Sequence, residues 1–139
     1  MSSDKFLIAM DSDQIHAYVF ATNRLQEIRG ASALLSELND RNRVEDRVEE
    51  LGGHLYYAGG GSVKVSFDDK TRAKEFIRNE QREYAQNAIT ATITGIVEQT
   101  NDDELQHHFK EVNYRAERKL RRAKESKQQR LQVQTFPYA

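Results

Sequence analysis

Tyr56-Tyr57-Ala58-Gly59-Gly60-Gly61-Ser62-Val63-Lys64-Val65 decides the fold of this chain. Two strand-like runs flank consecutive glycines, and glycine accepts the positive φ that a tight hairpin turn demands. Val63, Val65 and Phe67 alternate along the second run, so one of its faces is buried. Tyr56 and Tyr57 point to opposite faces of the first run, which places one ring in a core.

Working backward, Val44, Val48 and Leu51 form a helical stripe that Gly52-Gly53 stops. Before it, Thr22 caps a segment with Leu25, Ile28 and Leu34-Leu35 at helical spacing, broken near Arg29-Gly30. Phe6-Leu7-Ile8-Ala9-Met10 is wholly apolar, as suits a central strand buried on both faces, and it ends in Asp11-Ser12-Asp13. Ile15 to Phe20 either extends that strand or forms a short second one after a bend.

Working forward, Asp68-Asp69 opens a helix bearing Ala73, Phe76, Ile77 and Tyr84. Ala88 to Val97 reads as a half-buried strand, with Ile89, Ala91, Ile93 and Val97 set among threonines. Asn101 caps the next helix, and Glu104 is placed for a capping box. Leu105, Phe109, Val112, Ala116, Leu120 and Ala123 then predict one long last helix. The order is that of an α+β, ferredoxin-like (split βαβ) plan: an antiparallel sheet with helices on one face, plus a long C-terminal helix. In that plan the first strand is central and pairs with the second hairpin strand, which sets Asp11 and Asp13 beside Gly59, Gly60, Gly61 and Ser62. Residues 1–100 are expected to form the domain proper, and residues 101–139 a helix and tail packed on it or extending from it.

Composition narrows the function classes. The chain has 139 residues, formal net charge −1 and no cysteine, so thiolate metal sites and disulfides within it are excluded. No apolar run approaches the roughly 18 residues that span a bilayer, and a cytoplasmic location without membrane partners is the expectation. Charge is uneven, however. Lys110, Arg115, Arg118, Lys119, Arg121, Arg122, Lys124 and Lys127 face only Glu111, Glu117 and Glu125 within that segment. Such a basic helix either contacts RNA, through Arg115, Arg118, Lys119 and Arg122, or presents an ordinary solvated face. The four histidines have no metal-ligand spacing, and neither a nucleophile triad nor a phosphate-binding P-loop is present.

Two stretches carry a more specific signal. Ile15 to Leu35, with Leu25, Arg29-Gly30-Ala31-Ser32 and Leu34-Leu35 at its centre, resembles the segment after the first strand in CRISPR polymerase palm domains. Those palms belong to the large subunit of type III CRISPR effector complexes and are related to GGDEF-type and adenylyl cyclases. Tyr57-Ala58-Gly59-Gly60-Gly61 resembles the family's hairpin in a degenerate form. Where active palms carry acids just after Gly-Gly, this chain has Gly61 and Ser62, and neither holds Mg²⁺ as a carboxylate does.

The resemblance implies a catalytically degenerate palm in prokaryotic antiviral defence. Such a palm binds a nucleotide or pairs with an active palm, a second domain or another copy of the chain. On local sequence alone Asp11 and Asp13 read first as loop acids that bond backbone N–H groups; the resemblance makes them metal candidates on a par with that reading for binding, though not for catalysis, with Mg²⁺ and ATP or another nucleotide. Gly59, Gly60, Gly61, Ser62, Arg29 and Ser32 become nucleotide candidates, while plain turn geometry and close packing of Gly30 on the sheet are the structural alternatives. RNA and CRISPR effector subunits are the implied partners. The ending Thr135-Phe136-Pro137-Tyr138 leads, in related proteins, into a zinc-binding segment, so a longer parent protein is expected. Two rival functions stay open: a nucleotide cyclase or oligonucleotide synthase that uses Asp11 and Asp13 with a partner's acids, and a ferredoxin-like module that binds protein or RNA without nucleotide.

Overall fold

The apolar run at the start of the chain forms the centre of a four-stranded sheet. In the computed structural model, which describes residues 3–13, 41–59, 61–87 and 92–135, strand β1 spans Asp4–Asp13. Helix α1 (Arg41–Glu50), hairpin strands β2 (His54–Gly59) and β3 (Ser62–Phe67), helix α2 (Lys70–Asn87) and strand β4 (Thr92–Asn101) follow. The sheet order is β2-β3-β1-β4 with every pairing antiparallel. That is the ferredoxin-like α+β plan expected from the hairpin and its flanking elements. The segments at 15–35 and 88–91, and with them Arg29, Ser32 and Gly60, lie outside the described residues.

Alternation along β1 splits the core into two layers. Ile8 and Met10 face α1 and α2, where Val44, Val48, Ala73, Phe76 and Tyr84 meet Val63, Val65 and Phe67 of β3. Leu7 and Ala9 face the opposite way, against Ile96, Val112, Ala116 and Leu120. Burying a side chain such as Phe76 or Leu7 contributes roughly 1.5–3 kcal/mol each, so both layers hold the sheet. A bidentate ion pair joins α1 to α2: Arg47 Nε and Nη2 donate to the Glu80 carboxylate at 2.5 and 3.0 Å. Glu80 is fully buried, and burial pushes its carboxyl above the usual range while Arg47 pulls it back.

The helix ends follow their residues. Gly52, at φ +73°, donates to Glu49 O at 3.0 Å and Gly53 donates to Val48 O at 2.9 Å, the paired bonds of a Schellman stop. Asp69 caps α2 by accepting from Thr71 N at 2.8 Å. Asn101 accepts from Glu104 N at 2.8 Å, as the capping pattern predicts. The Glu104 carboxylate accepts from the Thr100 hydroxyl and from Arg115.

Two expectations change. The last helix is two helices, α3 (Asp102–His107) and α4 (Phe109–Thr135), separated at His108, whose φ of −134° leaves helical space. The last strand reaches Asn101, four residues past its predicted end at Val97, since its polar tail pairs with β1 as far as Asp4.

Candidate functional site

The end of β1 meets the hairpin turn. Asp11 pairs with Ser62 across the β1–β3 ladder, and the Ser62 hydroxyl donates to Asp11 Oδ1 at 3.0 Å. Gly61, at φ +85°, turns its carbonyl toward β1. That oxygen accepts from Ser12 N at 2.8 Å and from Ser12 Oγ at 3.0 Å. Ser12 Oγ also lies 3.1 Å from the Tyr84 hydroxyl, which fastens the turn to α2. Gly59 sits beneath the Tyr57 ring, with the Tyr57 hydroxyl 3.5 Å from where a Cβ would stand.

Period two puts Asp11 and Asp13 on the face of Leu7 and Ala9, the face covered by α4. On α4, Val112, Ala116 and Leu120 recur every fourth residue, and Lys124 and Lys127 continue the stripe. Both rows therefore change from apolar to charged at the same height. Lys124 Nζ donates to Asp11 Oδ2 at 2.6 Å and to Ser12 O at 3.0 Å, and lies 3.8 Å from Asp13 Oδ1. Lys127 Nζ donates to Asp13 Oδ2 at 2.6 Å. Asp13 also accepts from Thr92 Oγ1 at 2.9 Å and from Thr94 Oγ1 at 2.8 Å. Its side chain is 12% exposed, against 38% for Asp11.

Among the described residues, the donors at this site are too few for a pair of divalent cations. Asp11 faces the Ser62 hydroxyl and Asp13 the Thr92 and Thr94 hydroxyls, and each carboxylate already has an ammonium partner. Among the described residues, no group of three or more His, Cys, Asp or Glu side chains is placed to hold a metal ion. The sequence places Lys124 and Lys127 in the basic segment but does not connect them to the two acids. The signal that would have made the connection is the four-residue stripe carried past Leu120 into lysine.

The basic face of α4 is largely committed. Arg115 pairs with Glu98 and Glu104, and Lys119 donates to Val97 O at 2.7 Å and lies near Glu98. Arg118 lies over the Tyr114 ring at 5.7 Å, and Arg122 is exposed. A cleft of about 530 Å³, lined by Lys5, His54, Tyr56, Ser66 and Asp102 among others, opens at the far end of the sheet, away from the acid pair.

The architecture defines an α+β ferredoxin-like domain with an acid pair at the hairpin end. The fold is weakly similar to the adenylyl cyclase CyaB from P. aeruginosa, with TM-score 0.47 and 12% identity over 73% of this chain; the chain spans 58% of that protein. The de novo designed protein Foldit4 aligns with TM-score 0.33 and 14% identity, over 68% of this chain and 94% of that one. No family model matches the sequence, and no curated protein matches it. Among the described residues no helix is long and apolar enough to cross a membrane.

Proposed function

We propose that this chain is a catalytically degenerate palm domain of the CRISPR-polymerase type, acting in antiviral defence by supporting a second, active palm. One observation carries the reading. The turn positions that face Asp11 are Gly61 and Ser62, so the hairpin adds no carboxylate to the pair on β1. Nucleotidyl transfer needs charge neutralised on both the attacking and the leaving oxygen, which two-metal sites achieve with several acids. The sequence resemblance of Ile15 to Leu35 and of the glycine hairpin supplies the family.

Between holding a nucleotide and supporting a partner palm, the lysine contacts favour the partner. Asp11 and Asp13 already hold ammonium groups where a Mg²⁺–triphosphate would need them open. The test is to incubate the purified chain with radiolabelled ATP and Mg²⁺ or Mn²⁺. No pyrophosphate, cyclic nucleotide or oligonucleotide is expected. A product that forms with the wild type and is lost in Asp11→Ala overturns the reading in favour of a cyclase.

A further inference from the structure

The two carboxylates that the palm resemblance assigns to metal are engaged by this chain's own lysines, and that disagreement has a mechanical consequence. α4 docks on the sheet through two kinds of contact in succession. Its first half is held by apolar burial, with Val112 and Ala116 fully buried and Leu120 nearly so, while Arg115 and Lys119 to Glu98 and Glu117 to Lys64 add ion pairs along its exposed edges. Past the half-buried Ala123, and as far as Lys127, the contacts to the sheet are ionic and polar, made by Lys124 and Lys127 to Asp11, Asp13, Ser12 O, Thr92 and Thr94. Both lysine side chains remain about 30% exposed, so solvent and ions reach them.

We propose that the turn of α4 from Lys124 to Lys127 is an ionic latch over the end of β1. Closed, its two ammonium groups are the counter-cations of Asp11 and Asp13. Open, it uncovers both carboxylates and the Gly61–Ser62 turn while the apolar half of α4 stays docked. The physics separates the two halves. Salt shortens the Debye length from about 10 Å at 0.1 M to about 3 Å at 1 M and weakens the more exposed Lys124–Asp11 pair more than the deeper Lys127–Asp13 pair, whereas apolar burial is not weakened by added salt. Salt therefore grades the opening of the latch and leaves the helix below it in place. The inference does not need the antiviral reading: turnover of ATP would overturn that reading and leave the latch standing.

Amide hydrogen exchange on the full chain tests it, at 0.05 and 0.5 M NaCl, comparing peptides that cover 121–127 with those that cover 112–118. In the wild type, exchange over 121–127 is expected to rise several-fold at high salt, with 112–118 unchanged. In Lys124→Met/Lys127→Met, which keeps long side chains and helix propensity, exchange over 121–127 is fast at both salts. Arg121→Met/Arg122→Met removes the same charge from the exposed face and is expected to follow the wild type. Wild-type exchange over 121–127 that is equal at the two salts overturns the latch. So does a folded Lys124→Met/Lys127→Met variant that stays as protected as the wild type, or an arginine control that opens to the same degree. Should the lysine variant fail to fold, the wild-type salt comparison alone decides.

Discussion

Gly61 is the position where backbone geometry and the site meet, and replacing it isolates one physical term. Its φ of +85° is a conformation that an L side chain adopts only at a cost of about 1–2 kcal/mol, from the clash of Cβ with neighbouring carbonyl oxygen. The carbonyl it orients accepts two hydrogen bonds from Ser12, at 2.8 and 3.0 Å, so relaxing φ toward negative values would misalign both. Each such bond is worth about 1 kcal/mol net. The chain thus either holds the strained turn or loses part of the Ser12 anchor, and Gly61→Ala is expected to cost about 1–2 kcal/mol along either route. For a domain of this length that is a fall in Tm of about 4–8 °C. Gly59→Ala is the matched control. A Cβ there meets only the Tyr57 side chain, its hydroxyl at 3.5 Å and Cζ at 3.8 Å, both ordinary contacts, so its effect should stay within about 0.5 kcal/mol. Thermal and urea unfolding followed by circular dichroism reads both variants. Equal melting of Gly61→Ala and the wild type, or equal loss in the two variants, would refute the reasoning.

Two further predictions concern carboxylates whose environments pull in opposite directions. The Thr100 hydroxyl, and with it Arg115, lowers the Glu104 carboxyl below its ordinary value. Its contribution is therefore complete above the unfolded glutamate pKa and is lost as pH falls through the lower folded one. The Tm gap between wild type and Glu104→Gln should be open at pH 7 and close on acidification; a gap that widens toward pH 3 would contradict the assignment. Burial raises the Glu80 carboxyl, so its contribution is present below the unfolded pKa and is lost as pH rises through the raised value. Arg47→Met strips away the charge that offsets this, and should cost about 3–5 kcal/mol near pH 7 and distinctly less near pH 4. Urea unfolding at the two pH values that gives the same loss would count against it.

The parts of the fold that local pattern controls were legible in the residues. The apolar run at Phe6–Met10, the alternation of Val63, Val65 and Phe67 and the glycine stop at Gly52-Gly53 are each set by neighbours a few positions apart, and each lies where the pattern puts it. Element ends were less legible, for identifiable reasons. Leu105, Phe109 and Val112 keep helical spacing straight through the break at His108, so periodicity concealed it. Glu98 to Asn101 looks like a polar loop because β4 is an edge strand in the described sheet, with its ladder satisfied on one side by β1. In the candidate site, the adjacency of Asp11 and Ser62 followed from topology. The lysine partners did not, since Lys124 lies 113 positions from Asp11 and Lys127 lies 114 from Asp13. No local pattern links them; only the docking direction of α4 along β1 does.

That docking direction also explains how two acids are accommodated side by side at the end of β1. Two carboxylates two residues apart on one strand face repel each other, and a partly desolvated carboxylate such as Asp13 is costly without a compensating charge. A cation supplied by the chain itself meets both costs. Here α4 brings two, at the heights where its apolar stripe ends. Asp13 then gains hydroxyl donors from Thr92 and Thr94, and Asp11 gains one from Ser62. The acids thereby act as anchors that fix the end of α4 to the sheet. Removing either acid alone leaves a lysine without its closest partner, so Asp11 and Asp13 are held in place by folding whether or not any nucleotide ever reaches them.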